Sequence, residues 1–191
     1  MRTSSVTRPG RLILVRHGES EGNRDRTFTR DPAVALTPLG RKQARAAGLR
    51  IAARCDPSQI VASPFARARQ TAAIIAEVLR LMVELEPALR EQSFGTFAGR
   101  PYDALLKDAT YRDGPHWQRR PPGGESLADV YARVTPVFKR LVEQGAGRDV
   151  VVVTHGGVML ALCAYVVGSW DGIAVAPNGG VVVIEHERGA C

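Results

Sequence analysis

Two histidines in this chain occupy the same local setting. LILVRHGES places His17 directly after an apolar run, and VVVVTHGGV places His155 after another. A neutral imidazole can attack an electrophile or move a proton. The glycine that follows each ring lets a ligand come close to the backbone. In open α/β sheets ligands collect at the carboxyl ends of strands, so two such histidines can face each other across one crevice. Arg16, beside His17, adds a fixed positive charge suited to gripping phosphate or carboxylate in a bidentate fashion.

The elements that must position these residues are legible as hydrophobic patterns. Residues Arg11 to Val15 and Asp149 to Thr154 are short, nearly continuous apolar runs, as expected of strands buried on both faces. Gln59–Ala62 and Met82–Leu85 predict two more strands. Thr37 followed by Pro38 predicts a capped helix start, and Ser63-Pro64 repeats the signal for a helix through Leu79. Glu125-Ser126 opens an amphipathic helix to about Glu143, and Gly156 opens an apolar helix. The stretch from Glu91 to Gly124 is irregular, with one short helix expected at Pro101–Asp108. The end, GIAVAPNGGVVVIEHE, reads as a β-hairpin turning at Pro-Asn-Gly-Gly. Alternating strands and helices predict a three-layer α/β/α sandwich with a mostly parallel central sheet. A small irregular cap, about residues 91–124, should sit over the carboxyl ends of the strands within a single domain spanning 1–191.

Composition narrows the class of partner. The chain has 191 residues, 45% hydrophobic and 24% charged, which excludes a disordered tail or a fibrous repeat. Its net charge of +7 is carried by 23 arginines and three lysines. No basic run or basic-aromatic alternation marks a nucleic-acid groove, so a small anionic molecule is the expected partner, with neither nucleic acid nor membrane. Three cysteines without disulfide or zinc spacing, and no signal peptide, point to the cytoplasm. The four histidines and three cysteines form no metal-ligand pattern, so neither metal nor cofactor is expected.

Arg16-His17-Gly18-Glu19-Ser20 with Asn23, LTPLG at Leu36–Gly40, and SPFARARQTA at Ser63–Ala72 follow one another in order. LREQSFGTFAG around Glu91, PGGES at Pro122–Ser126 and THGGV around His155 complete the set. Together these blocks resemble the histidine phosphatase superfamily, which includes the phosphoglycerate mutases. The resemblance implies that His17 is a nucleophile forming a phosphohistidine, with Arg16, Arg67 and His155 around the transferring group. It implies that Glu91 is the general acid and base, and that Asn23, Thr29 and Gly156 contact the phosphoryl group or substrate.

In the mutase branch a tyrosine stands at Phe94, a lysine at Tyr102 and a glycine at Arg30, and the segment before PGGES is longer. These departures favour hydrolysis over mutase transfer. The middle segment is closest to the fructose-2,6-bisphosphatase-like branch, where Tyr102 is retained and Arg112, His116 and Arg120 match three bases at four-residue spacing. On a helical turn those three would share a face and hold a second anionic group; a ligand-free basic patch fits the same spacing. The expected activity is phosphomonoester hydrolysis on a small phosphorylated metabolite. The alternatives are phosphoglycerate mutase-type transfer and a non-catalytic phospho-ligand module. The C-terminal hairpin offers an edge through which a homodimer could pair.

Overall fold

A computed structural model describes residues 9–186, apart from 30, 109, 110, 112, 113 and 146. The chain forms β1 (Gly10–Arg16), α1 (Glu21–Arg24), α2 (Pro38–Ala52), β2 (Pro57–Ala62), α3 (Ala66–Leu79) and β3 (Val83–Leu85). After two single 3-10 turns come α4 (Tyr102–Lys107), α5 (Leu127–Gln144), β4 (Asp149–Thr154), α6 (Gly156–Val167) and β5 (Val181–His186). The five strands form one sheet in the order β3-β2-β4-β1-β5, parallel except for β5, which runs antiparallel to β1.

The alternating faces of β1 and β4 explain the layering. Leu12, Leu14, Val150 and Val152 point to one side, where they pack with Val130, Val134, Phe138 and Leu141 of α5 and Val158 and Leu162 of α6. Ile13, Val15, Val151 and Val153 point to the other, against Ala47 and Ile51 of α2 and Ala68, Ala72 and Ile75 of α3. Between their polar end residues both central strands are therefore apolar at every position, the condition that their uninterrupted hydrophobic runs met. Small alanines on α2 and α3 let these two helices lie close to each other. Among the described residues no helix is long and apolar enough to cross a membrane.

Helix starts follow their side-chain chemistry. Thr37 caps α2 by accepting from the Gly40 amide, with Pro38 at the first position. Ser126 and Asp129 form a reciprocal capping box at α5. At α3 the expectation is corrected: Phe65 occupies the cap position without a side-chain bond. Ser63 is withdrawn from capping because its hydroxyl is taken by His155, 2.7 Å away. The expected C-terminal hairpin is also corrected. Only Val181–His186 forms a strand, and its partner is the N-terminal β1. The preceding run instead turns back over the sheet end, where the Ala176 carbonyl accepts from Arg16.

At the opposite end of the sheet, the fully buried Asp149 accepts a bidentate pair from Arg11 and a further bond from the Asp56 amide. This carboxylate ties β1, β4 and the entry to β2 together. Asp149→Ala leaves a half-enclosed guanidinium without its partner and should cost about 3 kcal/mol. Chemical denaturation should read that as a lower midpoint at unchanged slope.

Candidate active site

The site is built by strand register. β1 and β4 pair in parallel with Arg16 opposite Thr154, so the next residues, His17 and His155, emerge side by side. Their ring centroids are 5.1 Å apart at 64°. β2 brings Ser63 alongside through an amide bond to the Val153 carbonyl. Arg67, on the first turn of α3, is buried and donates through Nε to His17 Nε2 at 3.2 Å.

Hydrogen bonding fixes the chemistry of the His17 ring. Nδ1 lies 2.7 Å from the Gly18 carbonyl, an acceptor only, so Nδ1 carries the proton. Nε2, which accepts from Arg67, then holds the lone pair. Burial, reinforced by the positive charges of Arg67 and Arg16, holds His17 well below the ordinary imidazole range. The same two influences, burial first, depress His155. The Ser63 hydroxyl accepts from the Phe65 amide and lies 2.7 Å from His155 Nε2, to which its own proton can be donated. His155 Nδ1–H is then left as a donor.

Four contacts hold the loop after His17. Gly18 meets α2 at Gly40 so closely that a Cβ on Gly18 would fall 2.2 Å from the Gly40 carbonyl oxygen. The Gly18 amide donates to Thr71, the Glu19 amide to Gln43, and Asn178 donates to the His17 carbonyl. Asn178 also reaches Asn23, whose amide group donates to the Tyr102 hydroxyl. The sequence reading missed Ser63, Thr71, Gln43 and Asn178. Ser63 and Thr71 lay inside a quoted motif, whereas Asn178 was masked by its place in a presumed hairpin turn.

Arg16 is anchored through Nη1 to the Ala176 carbonyl at 2.6 Å. Arg16 Nε, Arg67 Nη1 and His155 Nδ1 are buried and have no hydrogen-bond partner among the described residues. Buried donors of this kind are costly unless a ligand satisfies them. Arg16 and Arg67 line the same cavity as the His17 imidazole, with His155 packed against that ring, so the corner is a receptor for a tetrahedral oxyanion. Glu91 stands at its rim, accepting from the amides of Gln92 at 2.9 Å and Gly157 at 3.2 Å. Burial raises this carboxyl above its ordinary range, opposed by those two amides and by Arg67 and Arg16.

These groups open into a cavity of about 370 Å³ whose lining includes Arg16, His17, Asn23, Thr29, Arg67, Glu91, Tyr102 and Gly156. His155 stands behind that wall, against His17. His116 and Arg120 are outside it. His116 packs edge-on to Trp117 and Trp170, and Arg120 pairs with Asp129 at 2.6 Å. Residues 115–118 form a turn rather than a helix, so His116 and Arg120 do not share the helical face expected of them. Arg112 and Arg30 lie outside the described residues. Among the described residues no three His, Cys, Asp or Glu side chains converge as a metal site.

Ser63→Ala removes the bond that fixes the His155 tautomer, a loss of about 1 kcal/mol net. The expected result is a ligand-free melting temperature lower by roughly 2–4 °C, together with a roughly fivefold weaker affinity for orthovanadate or inorganic phosphate, read as a smaller ligand-induced thermal shift.

Comparison with known proteins agrees with this arrangement. Residues 12–191 match the histidine phosphatase superfamily (branch 1). The chain is 35% identical over 170 residues to glucosyl-3-phosphoglycerate phosphatase of Mycolicibacterium vanbaalenii, covering 83% of this chain and 74% of that one. It is 39% identical over 165 residues to a 2,3-bisphosphoglycerate-dependent phosphoglycerate mutase of Chelativorans sp., covering 80% and 79%. Among solved structures, mycobacterial glucosyl-3-phosphoglycerate phosphatase complexed with VO3 superposes with a TM-score of 0.80 at 31% identity, over 91% of this chain and 90% of that one. Matching sequence blocks and matching backbone together make this chain a member of the histidine phosphatase superfamily.

Proposed function

We propose that the chain is a metal-independent phosphomonoester hydrolase working through a phosphohistidine at His17. The observation that carries this reading is the lone pair of His17 Nε2 in one cavity with the unpartnered buried donors of Arg16 and Arg67, backed by His155. Nε2 attacks phosphorus and the ester P–O bond breaks. Glu91, whose carboxyl burial raises above its ordinary range, passes its proton to the departing alkoxide. The resulting carboxylate then takes a proton from water as that water attacks the phosphohistidine and the P–N bond breaks. Inorganic phosphate leaves, and both side chains return to their starting states. Arg16, Arg67 and His155 counter the charge on the equatorial oxygens throughout.

The substrate is a small phosphorylated metabolite in the cytoplasm, without nucleic acid as a partner. Residues 1–191 act as one domain, with about 91–124 inserted as the cap. β5 lies at the sheet edge, so edge pairing into a homodimer belongs to the same reading. Identity to a mutase supports a second reading, in which His17 returns the phosphoryl group to another hydroxyl. Incubation with 3-phosphoglycerate separates the two, because transfer yields an isomer and hydrolysis yields phosphate.

The acid–base assignment has a pH signature. Activity needs His17 neutral and Glu91 protonated. His17 is depressed and Glu91 raised, so kcat/KM on an alkyl phosphate should fall on the alkaline side as Glu91 ionises. Glu91→Gln should remove that limb and slow alkyl esters by about 10²–10⁴-fold. Aryl phosphates, whose leaving groups need no proton, should still form phosphoenzyme. His17→Ala should abolish both reactions while the melting temperature is kept. Normal turnover in His17→Ala would refute the mechanism.

A further inference from the structure

The walls of the cavity say what the rest of the substrate is. The charged side chains among its described lining residues are Arg16, Arg67 and Glu91, all grouped with His17 at the phosphoryl end. Two guanidiniums match one dianionic phosphoryl group. A second anion, seated away from that end, would enter a region with no further cation among the described lining residues.

Above that floor the surface is apolar: Phe28, Phe94, Leu105, Leu127, Leu160 and Val175. Phe28 and Phe94 pack at 4.1 Å between centroids, and Tyr102 meets Phe28 edge-on at 4.8 Å. Three of the polar side chains nearby are already committed, and the Thr27, Thr29 and Tyr102 hydroxyls are the donors left for a ligand. Ser20 donates to Asn23, Asn23 to the Tyr102 hydroxyl and Gln92 to the Glu125 carbonyl. A polyhydroxylated or carboxylated leaving group would lose its water here and find few partners in exchange. An alkyl or aryl group would gain from the same burial.

Resting on the hydrolase reading above, we infer that the preferred substrates are monophosphates of uncharged, apolar alcohols or phenols, with the Phe28–Phe94 wall and Val175 as specificity determinants. The chain thereby departs from relatives whose names specify phosphoglycerate-type acids. The aromatic pair binds the leaving group and takes no part in bond making or breaking.

A matched pair of alkyl esters tests this without a difference in leaving-group reactivity. Hexyl phosphate should exceed 6-phosphooxyhexanoate in kcat/KM by at least about tenfold, most of it in KM. Across ethyl, butyl and hexyl phosphate, kcat/KM should rise by up to about fourfold per methylene. Phe94→Ser should flatten that series. Val175 is 51% exposed at the mouth, so Val175→Arg leaves the fold undisturbed and should narrow the preference against the carboxylate ester. Equal values for the matched pair, a preference for the carboxylate ester, or a flat series in the unaltered chain would overturn the specificity. Failure to turn over any ester, phenyl phosphate included, would instead refute the hydrolase reading itself.

Discussion

The pairing of β1 with β4 governs the rest of the molecule, because both histidines of the candidate site are simply the next residue after each strand. The ladder sets Arg16 opposite Thr154, and the two rings inherit that alignment. A slip of one residue would reverse which side chains face α5 and α6, and would carry a histidine to the wrong layer. The register that buries the valines is thus the register that assembles the site. Core packing and ring placement are enforced by the same hydrogen bonds, and Asp149 locks that ladder at its far end.

A second constraint is electrostatic. Two guanidiniums and two imidazoles share one buried corner, and the corner remains tolerable because both imidazoles are held neutral. That arrangement has a cost in acid. The depressed histidines contribute stability that is present above about pH 6.5, the unfolded-state value, and is lost as the pH falls toward their folded values. Glu91 works in the opposite sense. Its raised folded value means that its contribution is fully present below the unfolded value and disappears as the pH rises through the folded one. An anion seated among the unpartnered donors would relieve both the charge density and the unsatisfied hydrogen bonds.

Much of this was readable from residue order. Uninterrupted valine and leucine runs identified the central strands, because only strands covered on both faces tolerate such runs. Thr37-Pro38 and Ser126 announced their helices through local capping chemistry. Reading failed where a residue's local role lost to a distant partner. Ser63 looks like a cap yet serves His155. Val181–His186 looks like half of a hairpin yet completes the sheet beside β1, about 170 residues earlier in the chain. The four-residue spacing of Arg112, His116 and Arg120 suggested a helical face, but the segment around Pro115 turns, and Trp117 stacks on Trp170 instead. Asn178 had no signature at all, since its role depends on meeting a carbonyl 161 positions away.

That last contact bears on how the molecule is made. Asn178 tethers the loop carrying His17, Ala176 fixes Arg16, and β5 seals the flank of β1, so the segment around His17 is completed by residues more than 150 positions later. During synthesis the first strand must wait, unpaired on both sides, until β4 and β5 have left the ribosome. An emerging chain therefore carries His17 in an unformed pocket, and the groups that would meet an oxyanion come together only when β5 pairs with β1.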